Sequence, residues 1–333
     1  MSPVKNILLI RFKSIGDVVL TLPAVNVIRE NFPSAKITFL TSRENAGLLR
    51  GFHEVIEVIT LDRAALRSGN PLKSAGELFG LLKHLRFGKF SLVVDFQSYG
   101  ETAWLAKVTG ARERWGGVYS SGRKWAYTRS FARDPNIHAA SGHLQLLRQC
   151  GLSVGKIRNE FFLPPDALET ARKFFAEQKL ETARPTLFIQ PLTSLTQKNW
   201  PLENYLSVAR HWRTAGVQII IGGGPADRAA LEPARREGFA VSAGVPLLVT
   251  SSLMQLSTLV LGGDTGALHL AVAQGKRVLM LMHEVTAGSP TPFQHPDWVI
   301  AAPAPDAIAK ISVAGVNSAV AQIFTAPADN VSC

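Results

Sequence analysis

The apolar run Leu259-Val260-Leu261, followed at once by Gly262-Gly263-Asp264-Thr265-Gly266-Ala267-Leu268-His269, restricts this chain more than any other stretch. The run reads as a buried strand, and the apolar segment that continues to Ala273 before Gly275 reads as a helix. A strand turning straight into a helix points to an α/β fold. The helix start offers unpaired amides, which make an anion site, and the glycines let a phosphate or sugar approach the main chain. Asp264 at the mouth would repel a bare phosphate yet accept hydrogen bonds from sugar hydroxyls, so the turn suits a ligand with both, such as a nucleotide sugar. On these residues alone a second reading stays open, in which Asp264 or Thr265 only caps the helix.

The same alternation runs along the chain. Strands are expected over residues 4–11, 36–41, 55–61 and 91–95, with helices over 17–32, which holds Pro23, and 72–85. Residues 116–136, rich in Gly, Ser, Arg and aromatics, read as a long exposed loop. The aperiodic stretch 151–165 reads as a linker. After it the pattern restarts: a helix over 166–178 capped by Asp166, a strand over 186–190, a helix over 202–214, a strand over 217–221, a helix over 246–256 and a closing helix over 305–324. The fold class is therefore α/β, with two Rossmann-like, doubly wound domains of similar size. Ligands of such sheets bind outside the carboxyl ends of the strands, so a cleft between the domains is the expected site.

An apolar share of 46% with 18% charged residues is that of a globular chain. The apolar runs are of strand length, and neither a secretory leader nor a membrane span is expected. Cys150 and the terminal Cys333 are the only cysteines, which implies neither a disulfide framework nor a cysteine metal site and fits a reducing cytoplasm. The net charge of +11 is unevenly spread: residues 1–165 hold 23 Lys and Arg against 12 Asp and Glu, and the rest hold 13 against 13. A basic half beside a neutral half suggests that one domain meets a polyanion or an anionic membrane surface.

Three further stretches lie where strands end. In Arg11-Phe12-Lys13-Ser14-Ile15-Gly16-Asp17, Asp17 stands at the start of a helix, where the macrodipole would hold it ionised; a helix cap is the competing reading. In Gln190-Pro191-Leu192-Thr193-Ser194-Leu195-Thr196-Gln197-Lys198-Asn199-Trp200-Pro201, two hydroxyls and a lysine suit a diphosphate, with Lys198 as a point charge and Thr193 and Ser194 as donors. The alternative is a polar connection anchored by Trp200. Gly222-Gly223-Gly224-Pro225-Ala226-Asp227 lacks the spacing of a dinucleotide fingerprint, and Asp227 is read either as a ribose contact or as a turn cap.

Taken together, Lys5 to Arg11 with Ser14-Ile15-Gly16-Asp17-Val18-Val19-Leu20-Thr21-Leu22-Pro23-Ala24, Asp95-Phe96-Gln97, Lys198-Asn199-Trp200-Pro201 and Gly263-Asp264-Thr265-Gly266-Ala267-Leu268-His269-Leu270 resemble glycosyltransferase family 9, the lipopolysaccharide heptosyltransferases. The resemblance covers nearly the whole chain. It implies a GT-B fold with residues 1–160 binding the acceptor and residues 161–333 binding the nucleotide sugar, the last helix packing back toward the first domain. It implies inverting transfer from ADP-heptose to the lipopolysaccharide inner core with no cofactor and no metal. Asp17 resembles the family's catalytic base. Lys198, Thr193 and Ser194, with Thr265 and Gly266, resemble its diphosphate contacts, and Asp264 and His269 its donor-sugar contacts; Asp227 is a looser match to a ribose contact. The departures are His283-Glu284-Val285-Thr286-Ala287-Gly288, where the family often has Gly-Pro-Thr, and Ser98-Tyr99-Gly100-Glu101, where a basic residue would fit better.

The basic residues Arg112, Arg114, Arg123, Lys124, Arg129 and Arg133 crowd into the expected loop. Arg123, Lys124 and Arg129 are read as contacts to a phosphorylated, lipid-linked saccharide acceptor at the inner face of the inner membrane. Two other functions compete: a sugar-nucleotide-binding module without turnover, against which Asp17 and Lys198 both argue, and a nucleic-acid-binding protein, for which no recognition motif accompanies the charge. His269 also reads as a core imidazole on an apolar helix.

Overall fold

The computed structural model describes residues 4–67, 70–303 and 308–325. It divides into two compact units, Met1–Phe162 and Leu163–Cys333. The first holds a six-stranded parallel sheet in the order β3-β2-β1-β4-β5-β6, built from β1 (Asn6–Ile10), β2 (Lys36–Ser42), β3 (Glu57–Leu61), β4 (Leu92–Asp95), β5 (Glu113–Val118) and β6 (Arg129–Ala132). The central strands β1 and β4 are runs of Ile, Leu and Val buried on both faces, as parallel strands covered by helices must be.

The stretch over residues 17–32 is two helices, α1 (Ile15–Val19) and α2 (Leu22–Asn31). Pro23 lies in the first turn of α2, where a missing N–H costs nothing, so the proline starts a helix instead of interrupting one. The expected loop over 116–136 is corrected more fully. It contains the end of β5, a 3₁₀ turn over Ser121–Ala126 and the edge strand β6. Gly116 sits inside β5 because the Tyr127 ring lies against it: a Cβ there would come 2.7 Å from that ring. Paired glycines and arginines gave no strand pattern, yet the aromatic of the returning segment completes the strand's surface. Apolar residues of α4 (Pro71–Phe87) and α5 (Gly100–Val108) share a core with Leu8, Ile10 and Val93, and the short α3 (Arg63–Arg67) packs on α4. Packing on α2 is α6 (Ala139–Gln149).

Residues 152–164 carry no regular element. Phe161 packs edge-on to Phe52, and the Phe162 amide donates to the Gly51 carbonyl. The next helix, α7 (Pro165–Glu177), is capped by Pro164 and not by Asp166, which lies in its first turn where a carboxylate still opposes the macrodipole favourably.

The second unit repeats the plan in the order β12-β11-β10-β7-β8-β9: β7 (Thr186–Gln190), β8 (Gln218–Gly223), β9 (Ala240–Ala243), β10 (Leu259–Gly263), β11 (Val278–Met282) and β12 (Val299–Ala301). Its helices are α8 (Leu202–Thr214), α9 (Glu232–Arg236), α10 (Leu247–Leu256), α11 (Gly266–Ala273) and α12 (Val313–Thr325). Trp200 is a packing anchor, buried with its indole N–H on the Ile311 carbonyl. The closing helix α12 packs against α8, with Phe324 on Trp212. Residues 305–307 of the expected closing helix, and Cys333, lie outside the described residues.

Candidate active site

In the second unit, β7 and β10 are neighbours with Gln190 opposite Gly262, so the loops leaving their carboxyl ends meet. Gly262 and Gly263 make that meeting possible. A Cβ on Gly262 would lie 2.6 Å from the Gln190 carbonyl oxygen, and one on Gly263 2.7 Å from the Thr193 methyl. The glycines thus admit the loop over residues 193–198 against the strand end. Thr193 shapes this loop, its hydroxyl donating to the Leu195 carbonyl and its amide donating to Asn199, while Ser194 is exposed.

The loop delivers Lys198 to Asp264. Lys198 Nζ donates to Asp264 Oδ2 at 2.6 Å, and His269 Nε2, one turn into α11, lies 3.2 Å from Asp264 Oδ1. Asp264 retains only 11% of its side-chain exposure. Burial pushes its carboxyl up, but the contacts with His269 and Lys198 outweigh that and hold it below the ordinary aspartate value. His269 is buried and in contact with the carboxylate, so it positions Asp264; among the described residues its Nδ1 has no hydrogen-bond partner. Thr265, not Asp264, is the N-cap of α11, its hydroxyl facing the Leu268 amide. The amides of Gly266 and Ala267 open the helix and have no intrahelical carbonyl to pair with. Asp227 closes the turn after β8 by accepting from the Gly224 amide at 2.7 Å, the cap reading of that residue.

A shallow hollow adjoins this group, lined by Lys198, Asp264, Leu281, Met282, His283, Glu284, Ser289 and Pro290. The loop over 283–290 was missed as a site. Its signal was available, since it follows the apolar run of β11 and therefore leaves the carboxyl end of a parallel strand.

In the first unit, the turn after β1 is held by side chains distant in sequence. The Phe12 amide donates to Gln97 Oε1, and the Phe12 carbonyl accepts from Ser42 Oγ and Asn45 Nδ2, both at 2.6 Å. Asp95, fully buried at the end of β4, organises the facing loop by accepting from the Gln97 and Ser98 amides and the Tyr127 hydroxyl. Burial raises the Asp95 pKa against those donors.

Asp17 emerges beside this scaffold. Its Oδ2 accepts from the Ser14 amide at 2.7 Å and the Ser14 hydroxyl at 3.2 Å, and its Oδ1 pairs with Arg11 Nη2 at 2.7 Å. It therefore belongs to the capping box of α1 while pairing with Arg11, and 36% of its side chain is exposed. A carboxylate has about four lone-pair sites, so one on Oδ1 remains for an incoming hydroxyl. Arg11, almost fully buried, also donates to the Phe96 carbonyl, as does Arg133, which lies just past the end of β6 and over the Tyr119 ring. Arg123 donates to the Ser98 carbonyl and lies over Tyr99. Tyr99 and Tyr119 adjoin at 5.9 Å, so Asp17 is followed by an arc of arginine and tyrosine along the carboxyl edge of the sheet.

The expected acceptor residues separate along that edge. Arg123 belongs to the arc, and Lys124 is exposed beside it. Arg129 is at the other end of β6, roughly 10 Å back along the strand, where it pairs with Glu113, donates to the Cys150 carbonyl and stacks over Trp115. Arg114 likewise donates to the Ala126 carbonyl and caps structure. Arg133, and not Arg129, shares the Phe96 carbonyl with Arg11.

The family model of glycosyltransferase family 9 (heptosyltransferase) matches residues 78–304. The chain belongs to that family. It is a glycosyltransferase, similar to the lipopolysaccharide core heptosyltransferase OpsX of Haemophilus influenzae at 23% identity over 305 residues, 89% of this chain and 84% of the relative. Among solved structures, the family 9 glycosyltransferase of Veillonella parvula superposes with a TM-score of 0.85 at 19% identity, covering 96% of this chain and 97% of that one. The Escherichia coli heptosyltransferase WaaC with ADP gives 0.78 at 19% identity, covering 96% and 99%. The fold is the GT-B fold of these glycosyltransferases, with both sheets parallel and six-stranded. Among the described residues no three His, Cys, Asp or Glu side chains are grouped to hold a metal ion.

Proposed function

We propose that this family 9 glycosyltransferase moves a heptose from ADP-heptose to the inner core of lipopolysaccharide with inversion and without a metal. The observation that carries the reading is the Lys198–Asp264–His269 group at the start of α11, beside a hollow at the carboxyl end of β11. The open amides of the helix and Lys198 favour a diphosphate, while Asp264 offers acceptor oxygens to sugar hydroxyls. Relatives whose names specify heptosyl transfer, and a WaaC structure holding ADP-2-deoxy-2-fluoro heptose, support the donor class.

In the step proposed, the acceptor hydroxyl attacks the anomeric carbon opposite the diphosphate and gives its proton to Asp17. The carbon–oxygen bond to the diphosphate breaks as the new glycosidic bond forms, and ADP departs with the bonding pair. Lys198 and the helix amides balance the charge that develops on it, the role metals fill elsewhere. The residues before Leu163 are assigned the acceptor, with Arg11 holding Asp17 and with Arg123, Arg133 and Lys124 meeting acceptor phosphates. Arg129 is left out of this assignment. The residues from Leu163 onward are assigned the donor. The acceptor is lipid-linked, so the enzyme works from the cytoplasmic side as a peripheral visitor to the inner membrane.

Incubation with a panel of radiolabelled nucleotide sugars and extracted lipopolysaccharide core, with and without chelator, tests this. Transfer from ADP-heptose, unchanged by chelator, is expected. Transfer of another sugar in preference would overturn the donor, and activity revived only by added metal would overturn the mechanism.

A further inference from the structure

Helix α4 carries an outward face that its own unit does not use. Of its residues Leu81 and Leu85 are buried against the sheet, while Leu72 is 85% exposed, Phe79 70% and Phe87 72%. Their spacing of seven and eight residues is close to two helical turns each, so the three line up in one stripe roughly 22 Å long. Gly76 and Gly80 lie beside that stripe, and a Cβ on either would meet nothing within 4 Å. These glycines lower helix propensity without making room for any neighbouring element. They leave an open depression lined by Gly80, Lys83, His84, Phe87 and Gly88.

The exposed charges of α4 are basic, and the acids near them face cations: Glu57 lies against Lys36 and His84, and Glu101 of α5 pairs with Arg63. Lys73, Lys83 and Arg86 are exposed on α4, while its one acid, Glu77, is turned to Arg43 and the Asp62 amide. On α5, which packs against α4, the exposed face adds Trp104, 43% exposed, and Lys107. No helix among the described residues is long and apolar enough to cross a membrane. Aromatic side chains standing out of a helix between lysines and arginines match the boundary between anionic headgroups and acyl chains, where the rings enter the apolar layer and the cations stay at the phosphates.

We infer that the outward face of α4, with Trp104 and Lys107 of α5, is the surface by which this enzyme docks on an anionic lipid bilayer. The inference rests on the proposal of a lipid-linked acceptor, and it supplies that proposal with a place on the fold. Basic residues alone would give a salt-sensitive, purely electrostatic attachment. Phe79 and Phe87 add apolar insertion, which persists in salt, so binding has a charge component and a residual component. The arginine arc beside Asp17 is left for the acceptor's own phosphates.

The test uses the full chain with sedimented vesicles of phosphatidylcholine alone and of phosphatidylcholine with phosphatidylglycerol. The parent is expected to bind the anionic vesicles and scarcely the neutral ones. Phe79→Ser with Phe87→Ser, and separately Lys73→Glu with Lys83→Glu, should each lower the bound fraction on anionic vesicles by about tenfold or more. All four positions are exposed, and circular dichroism confirms that each variant folds. Turnover of a soluble, deacylated core acceptor should match the parent in both variants, which separates failure of docking from failure of the transferase reading. Equal vesicle binding by parent and variants, or none by the parent, overturns the inference. So does a concentration-dependent dimer in sedimentation velocity that the phenylalanine variant abolishes while vesicle binding stays intact, since the face would then be covered by a second copy of the chain.

Discussion

Replacing Lys198 by alanine probes the donor site most directly. In the structure its ammonium is 2.6 Å from Asp264 Oδ2, with 30% of the lysine side chain exposed and 11% of the aspartate. Hydrogen bonds to charged groups are worth about 1.5–3 kcal/mol net, and the partial exposure of Lys198 places it toward the lower end of that span. At 1.4 kcal/mol per factor of ten, ADP should bind Lys198→Ala about ten- to a hundredfold more weakly. Adenosine, which lacks the diphosphate, should bind as it does to the parent. Titration calorimetry with both ligands reads the difference. Equal losses for ADP and adenosine, or no loss for ADP, would refute the reasoning. The variant also leaves Asp264 with His269 as its remaining charge partner. A carboxyl whose folded pKa is depressed contributes stability above its unfolded pKa and loses it as pH falls through the folded value. The variant's folded pKa is nearer the ordinary value, so less stability depends on that carboxylate and the variant should lose less than the parent between about pH 5 and pH 3, which thermal melts would show.

Asp17→Asn should keep ADP affinity and lose about a hundred- to ten-thousandfold in turnover, the usual range for a general base; turnover within a few-fold of the parent would leave Asp17 only its capping role. Arg123→Ala with Arg133→Ala should raise the acceptor Michaelis constant, steeply at low salt, and leave the donor constant unchanged, whereas Arg129→Ala should lower the melting temperature with little effect on either constant. An acceptor defect in Arg129→Ala alone would invalidate the division of the arginines. Tyr127→Phe removes a donor from buried Asp95 and should cost about 1–3 kcal/mol by chemical denaturation. Because burial raises the Asp95 pKa, its contribution is present below the unfolded value and is lost as pH rises through the folded one, so the deficit should widen from acid toward neutral pH; a deficit flat with pH would show that Asp95 does not ionise.

Sequence patterning revealed the elements and hid the distances between them. The strand β7 and the helix α8 were legible to the residue because an apolar run and a proline start bound them. The strands β5 and β6 were not, since Gly116 and Gly117 erase alternation and the Tyr127 ring supplies the missing surface from another segment. The same gap hid how far apart the arginines stand. Arg129 and Arg133 are four residues apart and equivalent in a loop, but in a strand that rises roughly 3.3 Å per residue they stand at opposite ends. The anchoring of the Phe12 turn by Gln97, Ser42 and Asn45 joins positions 85, 30 and 33 residues apart, which no local pattern signals.

Asp264 posed a contradiction in the sequence, a fixed negative charge in front of an anion-binding helix start, and the structure resolves it by pairing. Lys198 comes from a loop 66 residues earlier and His269 from the first turn of α11, so the mostly buried carboxylate is balanced where it stands. The helix start contributes about half a positive charge, and the site as a whole therefore remains attractive to a diphosphate. The same lysine has two acceptors to choose between. On the proposed reading, a diphosphate that draws Lys198 toward itself leaves Asp264 Oδ2 without its partner just as the sugar attached to that diphosphate brings hydroxyls that need an acceptor. Phosphate and sugar recognition are then one event, and the variant carrying both Lys198→Ala and Asp264→Asn separates the two functions of the lysine: recovery of ADP affinity over the single variant measures the repulsion it cancels, and the affinity still missing measures its direct contact.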